Sequence, residues 1–172
     1  MITRIETERL NLRKPKPEDY PAWEAFTLNV RSRYVRPAPT KGVAWRAFCH
    51  VLGHWEMRGW GLFTITVKGD DRGLGTVGPW FPANWPEKEL GWTIWDAADE
   101  GEGYVTEAAR ATREHVYRDL GWKTAVSYIH LDNARSIAVA ERLGCVRDDA
   151  AESPGDEGTD LVYRHPAPGS LT

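Results

Sequence analysis

The fold is decided by a stretch near the middle of the chain, LGWTIW at residues 90–95 followed by GEGYVTE at residues 101–107. The first segment is apolar, aromatic and β-branched, which predicts a strand. From Val105 onward, apolar residues recur at helical spacing, so Gly101 and Gly103 form a turn that leads from this strand into an amphipathic helix. A strand, a glycine turn and a helix N-terminus form a candidate anion site, because backbone N–H groups and the helix dipole attract a phosphate there.

Two interpretations of this turn remain open from the residues alone. Two glycines before a helix more often mark a tight turn than a phosphate site. Carboxylates crowd the turn between Asp96 and Glu107. A bound anion would therefore depend on main-chain dipoles, with Arg110, Arg113 or an arginine distant in sequence balancing the charge.

The composition restricts the class of protein. The chain has 172 residues and a net charge of −3, which predicts one domain at 1–165 with a loose C-terminal tail at 166–172. It has no basic cluster suited to nucleic acid or a membrane surface, no membrane-spanning apolar run and no secretion signal. We therefore expect a cytoplasmic protein without nucleic-acid or membrane partners.

Cys49 and Cys145 are predicted to be reduced thiols. His50 and His54 lack a third ligand, so no metal site is predicted.

The elements on either side of the central stretch alternate between strands and helices. The N-terminal half predicts strands at 5–13, 61–67 and 75–80, helices from Tyr20 and at 43–58, and a loop at 31–40. The C-terminal half predicts a strand at 124–130, a helix that opens at Asn133 and ends at Gly144, and strands at 146 and 161–164. This order predicts an α/β (α+β) domain with a mixed sheet and helices on both faces.

Further motifs occur in order along the chain. They are TERLNLR at 7–13, DNARS at 132–136, ERLG at 141–144 and VYR at 162–164. Together with residues 100–109, they resemble the GNAT superfamily of CoA-dependent N-acetyltransferases, and most closely its RimJ/RimL-like branch. The resemblance covers nearly the whole chain. It implies a GNAT-like mixed, mostly antiparallel sheet of about six to seven strands, a splayed central strand pair and about four helices on both faces.

The resemblance implies acetyl-CoA as co-substrate and no metal. The pantetheine arm would lie between the splayed strands 90–95 and 124–130, and the diphosphate would bind the amides of residues 101–106. Asn133 and Ser136 would border the arm, although a helix N-cap fits Asn133 equally well. The cofactor-binding residues implied in this way are Trp92, Thr93, Ile94, Trp95, Gly101, Glu102, Gly103, Tyr104, Val105, Thr106, Asn133 and Ser136.

The chain departs from the family pattern at two informative positions. The family turn runs Arg or Gln, two variable residues, Gly, one variable residue, then Gly or Ala. Aligned on Gly103, it places an anion, Glu100, at the first position and Val105 at the last. Many relatives carry a Tyr acid where this chain has Ala140. Both Glu100 and Ala140 favour an alternative, a non-catalytic CoA-binding or protein-interaction module with the same fold.

Amine acylation requires a base for the ammonium proton and an acid for the leaving thiolate. Glu89 is the predicted base, since relatives often carry Glu two residues before a glycine, here Gly91; a solvated strand-end carboxylate is the other interpretation. His130 is the second candidate, because its intrinsic pKa suits proton transfer. Ser136 or a water is the candidate acid.

The acceptor would lie beside the loop 31–40 and among tryptophans. Tyr34, with Arg33 and Arg36, is predicted to touch substrate, although a solvated loop is also consistent with these residues. Core or lid packing accounts for most of the tryptophans on the presumed acceptor side, of which Trp80 and Trp85 are predicted substrate contacts. These tryptophans are Trp55, Trp60, Trp80, Trp85 and Trp92. Several aromatic rings around one cleft suit an apolar, aromatic or cationic ligand.

The resulting functional prediction is acetyl transfer from acetyl-CoA to a primary amine by direct attack in a ternary complex. The amine is a peptide or protein N-terminus or a small molecule. An acyltransferase that uses another acyl-CoA is a further alternative. We expect a monomer or a homodimer.

Overall fold

The computed structural model describes residues 2–35, 39–155 and 159–170. The strands in this part of the chain are β1 (Arg4–Glu6), β2 (Leu10–Arg13), β3 (Phe63–Val67), β4 (Gly75–Trp80), β5 (Glu89–Ile94), β6 (Val126–His130), β7 (Val146–Arg147) and β8 (Asp160–Arg164). The α-helices are α1 (Tyr20–Thr27), α2 (Lys41–Arg58), α3 (Tyr104–Arg118) and α4 (Ala134–Arg142). None of the helices described here is long and apolar enough to cross a membrane.

All eight strands form one open sheet in the order β1-β2-β3-β4-β5-β6-β8-β7. Every neighbouring pair is antiparallel except β5 and β6, which are parallel. The predicted mixed, mostly antiparallel fold with four helices is confirmed. The strand count exceeds the prediction slightly because the segment 5–13 turns back on itself. The Thr7 N–H donates to the Leu10 carbonyl at 3.0 Å, so this segment forms two paired strands.

The main core lies between the sheet and the helices packed on it. It includes Leu12 and Ile65 from the strands and Ala108 and Ala109 from α3. The two alanines are fully buried, and their small side chains let α3 lie close to the sheet. This packing fixes the N-terminus of α3 directly beyond the end of β5.

Two tryptophans differ from the sequence-based expectation. Trp55 is fully buried in the core, where its indole N–H donates to the Leu62 carbonyl at 2.8 Å, and Trp60 packs edge-on against Trp122. Neither lines the acceptor side, so that assignment is wrong for both. His54 is also buried, and desolvation lowers its pKa. These rings are held by contacts that helical spacing in α2 does not specify.

The predicted divergence of the two central strands is present. Strands β5 and β6 share one residue pair, Glu89 with Val126, and the Val126 N–H donates to the Lys88 carbonyl at 3.1 Å. At the next position the Ser127 hydroxyl donates to the Leu90 carbonyl at 2.6 Å, in place of a main-chain group. The Ser127 Oγ also lies 2.9 Å from Nε2 of the buried His165, which donates to it. A side-chain pair thus occupies the point where the strands separate.

Candidate active site

Two clefts adjoin the diverging strands. The helical groove encloses about 1620 Å³, and its lining includes residues 92–94, 99–101, 103–107 and 132–136. The aromatic cleft encloses about 830 Å³. Its aromatic lining residues are Trp23, Phe26, Tyr34, Trp80, Trp85, Trp92 and Tyr128. Both clefts are lined by Trp92, Thr93, Asn133 and Ser136, so they meet beside the splay.

The helical groove contains the glycine turn at the start of α3. Gly101 and Gly103 have φ values of +84° and +78°, in the left-handed region that favours glycine. Gly103 is the N-cap, and the first helical hydrogen bond runs from the Glu107 N–H to the Gly103 carbonyl at 3.1 Å. The N–H groups of residues 104–106 precede it and have no carbonyl one turn earlier in the helix. With the dipole of the 15-residue helix α3, they form a cradle suited to an anion.

Glu100, the anion in this cradle, is bonded to two arginines. Its Oε1 accepts a hydrogen bond from Arg31 and its Oε2 accepts one from Arg135, each at 2.5 Å. Arg31 lies in the 3-10 helix Val30–Tyr34, and Arg135 lies in the first turn of α4. All three side chains line the helical groove, so the cluster carries one net positive charge. The sequence predicted a distant arginine here but identified neither Arg31 nor Arg135, because no local spacing connects Arg31 to a residue 69 positions away.

A further carboxylate of the groove, Glu107, is held by the N-terminal segment. It accepts hydrogen bonds from the Thr7 hydroxyl at 2.6 Å, the Arg9 N–H at 2.9 Å and the Arg9 guanidinium at 2.7 Å. Burial alone raises the pKa of Glu107, but the bonds from Thr7 and Arg9 outweigh it and lower that pKa. Arg110 lines the groove, whereas Arg113 is buried and donates to the Leu143 carbonyl, so Arg113 does not balance charge here.

Most of the predicted cofactor-binding residues line the helical groove. They are Trp92, Thr93, Ile94, Gly101, Gly103, Tyr104, Val105, Thr106, Asn133 and Ser136. Trp95 and Glu102 do not line it. The Trp95 side chain is buried in the protein, and the main-chain N–H of Trp95 donates to the Leu74 carbonyl, because the sheet continues past the splay on that side. Glu102 is exposed, and its carbonyl accepts a hydrogen bond from Arg9.

Asn133 and Ser136 lie where the two clefts meet. The Asn133 Oδ1 accepts the Ser136 N–H at 3.3 Å, so Asn133 is the N-cap of α4. The Ser136 side chain is half-buried and lines both clefts. Ala140, one turn further along α4, is fully buried and offers no acid.

The predicted base, Glu89, lies at the start of β5 and lines the aromatic cleft. Its Oε2 accepts the indole N–H of Trp85 at 2.6 Å, which orients the carboxylate. His130 lines the same cleft, with its ring 4.9 Å from that of Tyr34. The His130 Nδ1 accepts the Asp132 N–H at 3.1 Å, so the neutral ring carries its proton on Nε2. In this tautomer Nε2 donates a hydrogen bond and cannot accept a proton, so the ring as it stands is not a base at that atom.

The predicted substrate contacts Tyr34, Trp80 and Trp85 also line the aromatic cleft. Arg33 lines both clefts, and its guanidinium lies 4.4 Å from the Tyr34 ring centroid. Arg36 lies outside the described residues. Within the described ranges, no group of three or more His, Cys, Asp or Glu residues could hold a metal ion.

Comparisons with known proteins agree with this geometry. Residues 9–146 match the acetyltransferase (GNAT) domain family. The crystal structure of an acetyltransferase from Agrobacterium tumefaciens strain C58 is 37% identical, with a TM-score of 0.88 over 96% of this chain and 95% of that one. A GNAT-family acetyltransferase from Bacillus anthracis shares the fold at 22% identity, with a TM-score of 0.74 over 95% and 98% of the two chains. RimL, a ribosomal L7/L12 alpha-N-protein acetyltransferase, shares it at 18% identity, with a TM-score of 0.72 over 96% and 93%. No curated protein sequence matches the chain significantly.

Proposed function

Because the chain belongs to the GNAT acetyltransferase family, we propose that it transfers an acetyl group from acetyl-CoA to a primary amine by direct attack in a ternary complex. The observation that carries this proposal is the junction of the two clefts at Trp92, Thr93, Asn133 and Ser136. Direct attack requires both substrates to be bound together with their reacting atoms in contact. Two clefts that share a wall beside the splayed strands meet this requirement.

The residues of the helical groove fit acetyl-CoA, which supplies the thioester carbonyl that the amine attacks. The N–H groups of residues 101–106 would hold the diphosphate, with Arg31 and Arg135 adding positive charge beside it. Main-chain groups of residues 92–94 would hold the pantetheine arm, and Asn133 and Ser136 would border it. Glu100 departs from the family pattern by placing an anion beside the expected diphosphate. The arginine pair neutralises this carboxylate. This weakens the support for a non-catalytic module.

In the proposed reaction Glu89 removes the proton from the ammonium group, and the Trp85 indole holds its carboxylate in place. An α-amine has an ordinary pKa of about 7.7 to 8.0 and a lysine about 10.4, so an α-amine or another weakly basic amine demands less of this base. Ser136 or a water protonates the leaving thiolate. His130 would act as the second candidate base only in its other tautomer, because in the present one Nδ1 accepts the Asp132 N–H.

We place the chain in the RimJ/RimL-like branch on the strength of its motifs at 7–13, 132–136 and 141–144. A peptide or protein N-terminus and a small-molecule amine are both consistent with that branch. We propose that residues 1–165 form the single catalytic domain, acting in the cytoplasm as a monomer or homodimer. The Tyr117 hydroxyl donates to the Pro166 carbonyl at 2.8 Å, which attaches the first residue of the tail to α3.

The test is calorimetry with acetyl-CoA, followed by an assay of CoA release on a panel of amines and peptides. We expect binding, and CoA release with at least one acceptor. Absence of binding at millimolar acetyl-CoA would remove the enzyme and the CoA-binding module together. Binding without CoA release on any acceptor would favour the module.

A further inference from the structure

The aromatic cleft has a wall of fixed rings. Trp80 stacks on His54 with ring centroids 4.5 Å apart and an interplanar angle of 21°. His54 is itself bonded at both nitrogens. Its Nδ1–H donates to the Trp60 carbonyl at 2.9 Å, and its Nε2 accepts the Phe81 N–H at 3.1 Å. The indole plane of Trp80 is therefore supported from behind by a buried ring that cannot rotate without breaking two hydrogen bonds.

Two other rings of the cleft have their polar ends engaged. The Trp85 indole N–H donates to Glu89, and the Tyr128 hydroxyl accepts the Glu87 N–H at 3.1 Å. The rings of Trp85 and Tyr128 lie edge to face, 6.5 Å apart. Because the polar ends face the protein, these side chains offer mainly their apolar rings to a ligand.

The described lining of the cleft carries few charges, with a net charge of −1. In the part of the lining that the structure describes, the charged side chains are Glu89, Asp160 and Arg33, with His50 and His130 as the imidazoles. A polycation such as a polyamine needs several carboxylates to replace its hydration. An amine with one positive charge needs only one carboxylate, and an aromatic wall also attracts it through cation–π contacts.

We propose that the acceptor is a primary amine with a single positive charge on an aromatic group, that is, a small arylalkylamine. Its ammonium group lies near Glu89 and its ring lies against the wall formed by Trp80 and Trp85. The cleft volume of about 830 Å³ lies in the range of sites that hold small organic ligands. This inference rests on the proposed function, because it names the substrate class of the same site.

The test compares four acceptors in steady-state CoA release with saturating acetyl-CoA. They are 2-phenylethylamine, its saturated analogue 2-cyclohexylethylamine, spermidine and a tetrapeptide that begins with serine. We expect kcat/KM for 2-phenylethylamine to exceed that for spermidine and the peptide by about tenfold or more. The cyclohexyl compound has the same charge and a similar size without a π-system, so its value should lie between them.

Variants of Trp80 show whether the ring wall is responsible. We expect Trp80→Leu to lower kcat/KM for 2-phenylethylamine about tenfold, mainly through KM, and Trp80→Phe to retain most of it. The matched control is Trp45→Leu, since Trp45 is 56% exposed on α2 and does not line the cleft. The Kd of acetyl-CoA should not change in any of them, because Trp80 does not line the helical groove.

The possible outcomes distinguish a failure of this inference from a failure of the proposed function on which it rests. Failure to bind acetyl-CoA would overturn the proposed function. Preference for spermidine or the peptide, or acetyl-CoA binding without acetylation of 2-phenylethylamine, would overturn only the arylalkylamine inference. An equal loss of activity in Trp80→Leu towards all four acceptors would also overturn it.

Discussion

The helical groove and the aromatic cleft share a wall but are built in different ways. The groove depends on main-chain geometry, namely the positive φ angles at Gly101 and Gly103 and the N-terminus of α3. The cleft depends on side chains, above all Trp80 and Trp85, which come from β4 and the loop that follows it. A main-chain site suits a ligand common to a whole family, whereas a side-chain site can change with each acceptor. The difference between the two regions teaches that, under the proposed function, the cofactor and the amine would be recognised by separable parts of the chain.

The strongest test of the difference between the groove and the cleft is Glu89→Gln, a substitution that alters the cleft alone. We expect kcat to fall by about 100-fold or more through loss of the base, while the Kd of acetyl-CoA stays unchanged. Stopped-flow or steady-state CoA release and calorimetry measure the two quantities. The control Glu56→Gln removes an exposed carboxylate of α2 and should leave both unchanged. A pH–rate profile that Glu89→Gln does not alter would reject Glu89 as the base.

The reverse test alters the groove alone. Gly103→Val forces a β-branched residue into the left-handed region at the N-cap of α3, and we expect acetyl-CoA to bind about tenfold more weakly or worse. The matched control is Gly121→Val, because Gly121 has a φ of +66° just beyond the other end of α3. Both variants should lose about 1 to 2 kcal/mol of stability, but only Gly103→Val should lose cofactor affinity. Calorimetry measures the affinity for acetyl-CoA, and urea unfolding measures the stability. Equal affinities in the two variants would mean that the diphosphate binds elsewhere.

A third test concerns His165, which lies where β5 and β6 diverge between the groove and the cleft. Burial lowers the pKa of His165 from its ordinary 6.5 to about 3, so folding excludes a proton that the unfolded chain accepts. The stability from this neutral ring is complete above pH 6.5 and is lost as the pH falls towards 3, by at most about 1.4 kcal/mol per pH unit. Urea unfolding at several pH values between 7.5 and 5 should show a shallower decline in His165→Gln than in the unaltered protein. The exposed His50, changed to Gln, serves as control and should keep the original slope.

The smallest expected effect belongs to Glu100→Gln. Removing this carboxylate frees Arg31 and Arg135 for the diphosphate, so we expect acetyl-CoA to bind about two- to fivefold more tightly at low salt. The difference should shrink in high salt, and Glu141→Gln, an equal charge change at an exposed position of α4, should show less of it. Calorimetry at two ionic strengths measures both. Weaker binding in Glu100→Gln would mean that its carboxylate organises the arginines for the ligand.

The difference between the regions also explains how far the sequence could predict the site. The turn at residues 101–106, the N-cap at Asn133 and the divergence of β5 from β6 were predicted, because each follows from local residue patterns or from the family resemblance. The bonds of Glu100 to Arg31 and Arg135 were not, since they form between segments that only the folded chain brings together.

The tryptophans show a second limit of what the sequence can predict. Trp80 and Trp85 were assigned to the cleft that they line, but Trp55 and Trp60 were assigned there wrongly. A tryptophan suits a core and a binding wall equally well by its chemistry, and only its packing partners distinguish the two. The tautomer of His130 was likewise set by a backbone N–H two residues further along, which no spacing rule addresses.

One short segment touches both regions. The 3-10 helix Val30–Tyr34 has five residues; it places Arg31 on Glu100 in the groove and Tyr34 beside His130 in the cleft. A movement of the backbone of this turn would displace both side chains together. A ligand that moves the turn as it draws Arg31 away from Glu100 would therefore also shift one wall of the aromatic cleft. Because such coupling is reciprocal, each ligand would alter the affinity for the other by the same factor.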